Sequence, residues 1–260
     1  MEFGISTSCF YPAPLESAVD QLAAWGIPAA EVFVNTVSEL QPDFVRAMRR
    51  RFEEGGVRVT SLHPFTSGLE PLLFFSEYER RFTDSVELYK RYFEAAAMLG
   101  ARWFVFHGER KESVFDRRIA YERFGVLDEA AKGFGIRVAH ENVSRCRSGQ
   151  PDYIRGLRAY LGGEVKCVLD LKQCIRTGVD VYDMLDAMGE SLVHIHVSDS
   201  DGERDCLPAG QGTFDFGALF ARLREVGYDG ALILELYRHN YGEAAELKRA
   251  WEFLTKAAQV

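Results

Sequence analysis

The sequence lacks the features that mark secreted and membrane-bound proteins. No stretch approaches the roughly 18 consecutive apolar residues of a membrane-spanning helix. The first residues, MEFGISTSCFYP, have neither the cationic start nor the continuous apolar stretch of a signal peptide. The five cysteines are odd in number and none forms a CxxC pair, which argues against a disulfide framework and against a zinc-finger module. We therefore expect free thiols, a cytoplasmic location and no membrane partner.

Basic charge and linker sequence are also scarce. The 31 Lys and Arg residues face 39 Asp and Glu residues, so the formal net charge is −8. Proteins that bind phosphate backbones usually present a basic face, and a nucleic-acid partner is therefore not expected. With 260 residues, 47% of them hydrophobic, the chain is long enough for two small domains or one large α/β barrel. The absence of a composition break or a Pro/Gly/Ser-rich linker favours one domain over residues 1–260.

What the sequence does contain is a regular alternation of short apolar runs and segments with helical spacing of apolar residues. The predicted strands are residues 3–7, 31–35, 58–63, 103–107, 137–141, 166–170, 192–197 and 231–235. The predicted helices are residues 15–25, 42–54, 76–99, 113–134, 152–161, 181–188, 216–226 and 242–258. Glycines such as Gly26 and Gly100 follow the helices, as helix C-termini favour, and Asp152 and Asp215 are candidate N-caps.

This pattern predicts the α/β class and a single (β/α)8 TIM barrel, because eight strand–helix units in one chain of this length suit that fold. A doubly wound open sheet is the alternative. That fold lacks support here, since no GxGxxG motif follows the first strand.

Four apolar runs in the second half of the chain end in a side chain that can bind a metal ion. RVAHE ends at Glu141, CVLD at Asp170, VHIH at His196 and ALILE at Glu235. In a parallel barrel the carboxyl ends of the strands share one rim, where active sites lie. Three carboxylates and one imidazole there predict one site for a divalent metal, with Mn²⁺, Mg²⁺, Co²⁺ and Zn²⁺ all suited to these ligands. The alternative is that these residues solvate the rim or pair with arginines.

Four further polar residues near the same rim are candidates for substrate binding. His63 and His107 end the third and fourth strands, and they could instead donate hydrogen bonds to the ligands or hold another metal. Gln173 lies three residues beyond Asp170, and Arg204 lies on a rim loop where it could contact an anionic substrate.

Strand alternation also places residues below and outside this rim. His194 shares a face with His196 but lies one layer deeper. Glu31 should be buried in the barrel, where its carboxylate would need a partner such as an interior histidine. His140 alternates with Glu141 and should therefore point outward and pack against the helices.

At these residues the chain resembles the sugar phosphate isomerase/epimerase superfamily, the xylose isomerase-like barrels. The resemblance covers essentially the whole chain, and its specific segments are AHEN, LDLKQ, HIHVSD and LPAGQGTFDFGALFARLREVGYDGALILELY. Ketose 3-epimerases of this superfamily bind one divalent metal through Glu, Asp, His and Glu on strands five to eight. The resemblance assigns that role to Glu141, Asp170, His196 and Glu235, and it implies that Glu141 and Glu235 are also the catalytic acid/base pair.

The chain departs from two patterns within the superfamily. Many members place a histidine three residues after the strand-six aspartate, where this chain has Gln173. Endonuclease IV, which resembles this barrel, needs nine ligands for three metals. Gln173 replaces one of those histidines, and the segment before residues 210–212 lacks the required DxH pair. We therefore expect one metal ion, and an endonuclease IV-like nuclease is the least favoured of the alternative functions.

The function that follows is a divalent-metal-dependent isomerase or epimerase of a ketose, a ketose phosphate or a related polyol. One glutamate would remove the proton α to the carbonyl, and the other would return a proton to the enediolate. Metal-dependent dehydration of a keto-polyol, as in inosose dehydratases, and non-catalytic sugar binding are the alternatives. The expected partner is a small sugar, and because resembling proteins are usually dimers or tetramers, a homo-oligomer is compatible with the resemblance.

Overall fold

The computed structural model describes residues 1–259 and shows a closed barrel of eight parallel strands in sequence order. Each strand pairs with the next one, and β8 pairs with β1 to close the ring. The strands are β1 (Glu2–Ser6), β2 (Ala29–Val34), β3 (Arg58–Pro64), β4 (Trp103–Phe106), β5 (Arg137–Glu141), β6 (Lys166–Asp170), β7 (Leu192–Val197) and β8 (Ala231–Leu234). The prediction of a (β/α)8 TIM barrel is confirmed.

Ten α-helices lie around this barrel in the described part of the chain. They are α1 (Leu15–Trp25), α2 (Pro42–Glu54), α3 (Glu70–Phe74), α4 (Glu79–Leu99), α5 (Arg117–Lys132), α6 (Pro151–Leu161), α7 (Leu171–Thr177), α8 (Val181–Met188), α9 (Phe216–Glu225) and α10 (Ala245–Ala257). Gly26 ends α1 with φ 70°, the left-handed conformation that glycine adopts without a Cβ clash. None of the helices within residues 1–259 is both long and apolar enough to cross a membrane.

Two helices and one helix cap differ from the sequence-based predictions. The short helices α3 and α7 were not predicted, because each is too short for a helical period to stand out from the strand or loop before it. Asp152 is not an N-cap: α6 begins at Pro151, and Asp152 lies in its first turn, 2.9 Å from Arg155. The prediction that Asp215 is an N-cap is confirmed, since its Oδ1 accepts a hydrogen bond from the Ala218 N–H at 2.9 Å at the start of α9.

The core has an outer layer between helices and strands and a small apolar cluster inside the barrel. In the outer layer, Phe104 of β4 packs against Phe93 of α4 with ring centroids 5.1 Å apart. Inside the barrel, Val105, Ala139 and Val168 are completely buried together. Ala139 and Val168 lie two residues before the ends of β5 and β6. This cluster therefore forms an apolar floor beneath the polar side chains at the carboxyl rim.

The loop after β7 is held against the rim by Asp199, which is buried. Asp199 Oδ2 accepts hydrogen bonds from the backbone N–H groups of Gly210 at 2.8 Å and Gly212 at 3.0 Å, and Oδ1 accepts from Phe214 at 3.1 Å. A Cβ at Gly212 would overlap Asp199 and the backbone oxygen of Ser200. Only glycine fits there, so the Gly210–Gly212 segment is a structural clasp for the rim.

Candidate metal centre

The carboxyl ends of β5 to β8 bring Glu141, Asp170, His196 and Glu235 together. Three carboxylate oxygens surround His196 Nδ1: Glu141 Oε1 at 3.3 Å, Glu235 Oε2 at 3.6 Å and Asp170 Oδ2 at 3.8 Å. One ligand atom from each of the four residues lies within 4.8 Å of the others. The four predicted metal ligands therefore form one cluster at the centre of the barrel mouth.

The donor set of this cluster suits a divalent cation. Three carboxylate oxygens and one imidazole nitrogen match the ligands preferred by Mn²⁺, Mg²⁺, Co²⁺ and Zn²⁺. Glu141 Oε2 is buried and has no hydrogen-bond partner among residues 1–259, although His107 Nε2 lies 2.8 Å away without hydrogen-bond alignment. A buried carboxylate oxygen without a partner is costly, and an ion would satisfy it. The residues present therefore fit a bound metal.

Glu31 of β2 orients His196 from below. Glu31 Oε2 lies 3.0 Å from His196 Nε2 and 3.2 Å from His194 Nε2, and it accepts a hydrogen bond from Ser61 Oγ at 2.8 Å. Burial raises the pKa of Glu31, but His196 and His194 outweigh burial and hold that pKa well below its usual range. With Nε2 bound to a carboxylate, His196 directs Nδ1 toward the other three carboxylates. The prediction that Glu31 pairs with an interior histidine is confirmed.

The two glutamates of the cluster are both stabilised as carboxylates. Burial raises the pKa of Glu141, but His107 and His196 outweigh it and hold the pKa well below its usual range. Burial also raises the pKa of Glu235, and Lys172 and His196 bring it below its usual value. Both groups therefore carry negative charge at neutral pH. Each of them is available as an ion ligand and as a base.

Lys172 is a member of this cluster that the sequence analysis missed. It lies in the first turn of α7, is 2% exposed, and its Nζ contacts Asp170 Oδ2 and lies 2.9 Å from Glu235 Oε2. Burial opposes its charge, but Asp170 and Glu235 outweigh burial and hold the pKa of the Lys172 ammonium well above its usual range. Asp170 serves two partners, because its Oδ1 accepts a hydrogen bond from the Gln173 N–H at 3.1 Å and caps α7. The sequence analysis missed Lys172 because it did not predict α7, the short helix that carries this residue.

His63 and His107 form a hydrogen-bonded pair beside Glu141. Arg145 Nη2 donates to His107 Nδ1 at 2.9 Å, so Nδ1 accepts and the ring carries its proton on Nε2. That proton is donated to His63 Nε2 at 3.0 Å, and His63 Nδ1 donates to the Pro64 carbonyl at 3.2 Å. Burial and His107 lower the pKa of His63 to about 4. Although both rings and Glu141 lie close enough to hold a second ion, a protonated Nε2 on His107 opposes its binding.

A cavity of about 590 Å³ opens above the four ligands. Gln173 lies in its wall and accepts a hydrogen bond from the Ser144 N–H at 2.9 Å through Oε1. The structure does not bring Arg204 to this cavity: Arg204 lies on the surface, lines a neighbouring cleft and pairs with Asp201 at 2.6 Å. The cavity is also lined by Ser8, Tyr11, Phe33, Asn35, Phe65, Ser67, Arg145, Leu236, Tyr237, Arg238 and His239.

Two further features support the pocket from outside. Glu70, in the segment that follows Phe65 and Ser67 of the cavity lining, accepts the backbone N–H groups of His107 at 2.7 Å and Gly108 at 2.9 Å through Oε2. His140 points outward as predicted: its ring stacks on Phe124 with centroids 5.2 Å apart, and burial lowers its pKa to about 4. His140 is therefore a neutral packing residue with no place in the site.

The barrel is that of a known family. The chain belongs to the xylose isomerase-like TIM barrel family, whose model matches residues 19–257. An uncharacterized protein of Methanocaldococcus jannaschii is 25% identical over 248 residues, which cover 90% of this chain and 83% of that protein. The alignment therefore extends over most of both chains.

Two solved structures show the same fold at lower identity. A D-tagatose 3-epimerase-like protein superimposes with a TM-score of 0.82 at 20% identity, covering 100% of this chain and 97% of its own. A probable 3-DHS dehydratase from Bacillus anthracis superimposes with a TM-score of 0.79 at 14% identity, covering 98% of this chain and 99% of its own. At these identities the similarity establishes the fold.

Proposed function

We propose that this protein is a divalent-metal-dependent isomerase or epimerase of a ketose, a ketose phosphate or a related polyol. The observation that carries the proposal is the convergence of Glu141, Asp170 and Glu235 on His196 Nδ1 at 3.3 to 3.8 Å, at the bottom of an open cavity. The similarity in fold to a D-tagatose 3-epimerase-like protein supports it.

Glu141, Asp170, His196 and Glu235 would hold the ion. When bound, a divalent cation supplies Lewis-acid polarisation of a carbonyl group on the substrate. A carboxylate of this cluster would remove the proton from the carbon next to that carbonyl group and leave an enediolate. Glu141 ends β5, and Glu235 directly follows β8, three strands away in the ring. The two carboxylates therefore approach the centre from different sides of the barrel.

The protonation states of Glu141 and Glu235 fit the role of an acid/base pair. Both glutamates have lowered pKa values and begin as carboxylates, so either one can act as the base. Returning a proton on the other side requires that the second carboxyl group be protonated first. That proton would come from solvent, because the Nε2 proton of His107, 2.8 Å from Glu141 Oε2, is donated to His63 and its loss would leave an imidazolate. On the other side, Lys172 Nζ lies 2.9 Å from Glu235 Oε2.

The cavity suits a small polar molecule. Its volume of about 590 Å³ lies within the range of roughly 300–1,000 Å³ that is usual for small-molecule sites. Polar groups of Ser8, Asn35 and Gln173 line it together with the rings of Phe33 and Tyr237. Hydroxyl and amide groups can bind sugar hydroxyls, while aromatic faces cover the apolar C–H surface of a sugar. Phe65 and Ser67 line another side of the cavity.

A deuterium-exchange assay tests the proposal. The protein is incubated in D2O with Mn²⁺ and a panel of ketopentoses, ketohexoses and their phosphate esters, and deuterium at carbon is measured by mass spectrometry and NMR. We expect exchange next to the carbonyl group for at least one compound. We expect Glu141→Gln and Glu235→Gln to reduce the exchange rate by about 10²-fold or more, since each removes a base.

Glu190→Gln is the matched control. Glu190 is exposed in the short 3-10 turn that precedes β7, at the amino-terminal end of the barrel, and its substitution should leave exchange unchanged. Absence of deuterium at carbon across the whole panel would overturn the proposal. A product with new enone absorbance would instead assign the site to dehydration, the reaction named for the Bacillus anthracis protein of the same fold.

A further inference from the structure

Lys172 is a buried cation placed among the proposed ligands of another cation. Its Nζ contacts Asp170 Oδ2, lies 2.9 Å from Glu235 Oε2, and is 5.6 Å from the centre of the Tyr237 ring. Only 2% of the residue is exposed. The two oxygens that it contacts are the same atoms that face His196 Nδ1. The ammonium group and a metal ion would therefore share ligands.

These two oxygens cannot bind the Lys172 ammonium group and a divalent metal ion equally well at the same time. A divalent ion binds carboxylate oxygens at about 2.0–2.6 Å, so an ion on Asp170 Oδ2 and Glu235 Oε2 would lie close to the present position of Nζ. Repulsion between two cations is strong at a site from which water is largely excluded. Conversely, the carboxylates of Asp170, Glu235 and Glu141 repel one another when no cation lies among them. A positive charge is needed there in either state.

We propose that Lys172 is an internal counter-ion that holds the ligand carboxylates together before the metal binds and is displaced by the metal. The proposal rests on the metal site of the proposed function, but not on the reaction. It predicts two effects of opposite sign when the charge is removed. The metal-free protein should become less stable, because Asp170 and Glu235 lose the ammonium group that contacts them both. Metal affinity should rise, because the ion no longer displaces an ammonium group.

The Lys172 side chain can move away from the ligand carboxylates toward the cavity. Lys172 and Tyr237 both line the cavity above the ligands, and the face of an aromatic ring attracts an ammonium group. Metal binding would thus move a positive charge from the ligand cluster toward the substrate cavity. Lys172 is in this respect a positioning residue, whose charge couples the two parts of the site.

The test compares Mn²⁺ binding and thermal unfolding of the chelator-treated wild-type protein and its Lys172→Met variant. We expect the variant to bind Mn²⁺ roughly 10- to 100-fold more tightly, the equivalent of one hydrogen-bonded charge interaction. We expect the metal-free variant to unfold at a lower temperature than the metal-free wild type. Added Mn²⁺ should raise the unfolding temperature of the variant by more than it raises that of the wild type. Lys166→Met is the matched control, because Lys166 lies at the other end of the same strand, β6. Its Mn²⁺ affinity should equal that of the wild type.

Each outcome decides the proposal. Equal or weaker Mn²⁺ binding by Lys172→Met would overturn it while leaving the metal site of the proposed function intact. Failure of both proteins to bind Mn²⁺ would overturn both proposals. If Lys172→Met does not fold without metal, Lys172→Gln serves as the second variant. Folding of either variant only with Mn²⁺ supports the proposal, whereas failure of both variants to fold even with Mn²⁺ would show that the ammonium is needed in both states and overturn it.

Discussion

Glu31 and His196 are bound to each other across the barrel, with Glu31 Oε2 3.0 Å from His196 Nε2. The two residues lie on β2 and β7, which are not neighbours in the sheet. Both side chains are completely or almost completely buried. The contact therefore joins the barrel interior to the proposed metal ligands.

This contact predicts that Glu31→Gln weakens metal binding without unfolding the protein. A carboxylate behind a histidine ligand fixes the ring and increases its basicity, and loss of such a partner typically costs about 10- to 100-fold in metal affinity. We expect that loss in Mn²⁺ titrations of Glu31→Gln followed by electron paramagnetic resonance. The exposed Glu190→Gln variant should bind as the wild type does. Equal affinity of Glu31→Gln and wild type would contradict the role of Glu31.

One Mn²⁺ ion per chain is the expected stoichiometry. Arg145 donates to His107 Nδ1, which leaves the proton of His107 on Nε2 and opposes a second ion beside His63 and Glu141. Calorimetric titration together with elemental analysis measures the number directly. His63→Asn should leave it at one. A count of two in the wild-type protein that falls to one in His63→Asn would contradict this prediction.

Glu70→Gln should stabilise the protein at neutral and higher pH. Burial raises the pKa of Glu70 well above its usual range, and the N–H groups of His107 and Gly108 and the Tyr89 hydroxyl only partly offset it. A carboxyl group with a raised pKa in the folded state favours unfolding at pH values above its ordinary pKa, and this cost disappears as the pH falls. Glutamine keeps an acceptor oxygen for the two N–H groups and has no charge.

The expected gain in the free energy of unfolding is on the order of 1 kcal/mol at pH 7 and above, and it should shrink toward pH 4.5. Urea unfolding of both proteins across this pH range measures it. Glu94→Gln on α4 is the control, because Glu94 is exposed and should show no such pH-dependent gain. A loss of stability in Glu70→Gln that is largest at high pH would contradict the sign of this prediction.

Gly212→Ala should destabilise the protein by about 1–3 kcal/mol, the usual cost of a methyl group forced into a filled space. Its Cβ would overlap the Asp199 carboxylate and the backbone oxygen of Ser200. Gly163→Ala is the matched control, since a Cβ at Gly163 meets nothing within 4 Å. Chemical unfolding of both variants measures the difference. Equal free energies of unfolding of the two variants would show that the Gly210–Gly212 segment accommodates the added methyl group without loss of stability.

The periodicity of the sequence was sufficient to predict most of the fold. The bounds of β5, β6, β7, α1, α2 and α8 agree with the predicted ranges to the residue. The alternation of strands and helices has few physical solutions, because each parallel strand requires a crossover that returns the chain to the same end of the sheet. Short helices such as α3 and α7 escaped prediction because one or two turns do not show a helical period.

The same periodicity predicted the cluster of side chains at the rim and its buried partner Glu31. Strands of a closed parallel barrel all end at one rim, so terminal residues such as Glu141 and Asp170 must converge. The two-residue repeat of a strand placed His194 below His196 and put Glu31 inside the barrel. These inferences need only the direction and the face of each strand.

The sequence by itself thus determined the barrel, the rim and the four side chains that meet there, because strand order and alternation are local properties repeated along the chain. Tertiary structure alone decided what the loops after the strands contribute. The turn into α7 directs Lys172 back onto Asp170 and Glu235, while the loop after β7 pairs Arg204 with Asp201 outside the cavity. No periodic signal encodes such turns, since the path of a loop is set by its packing against the rest of the molecule.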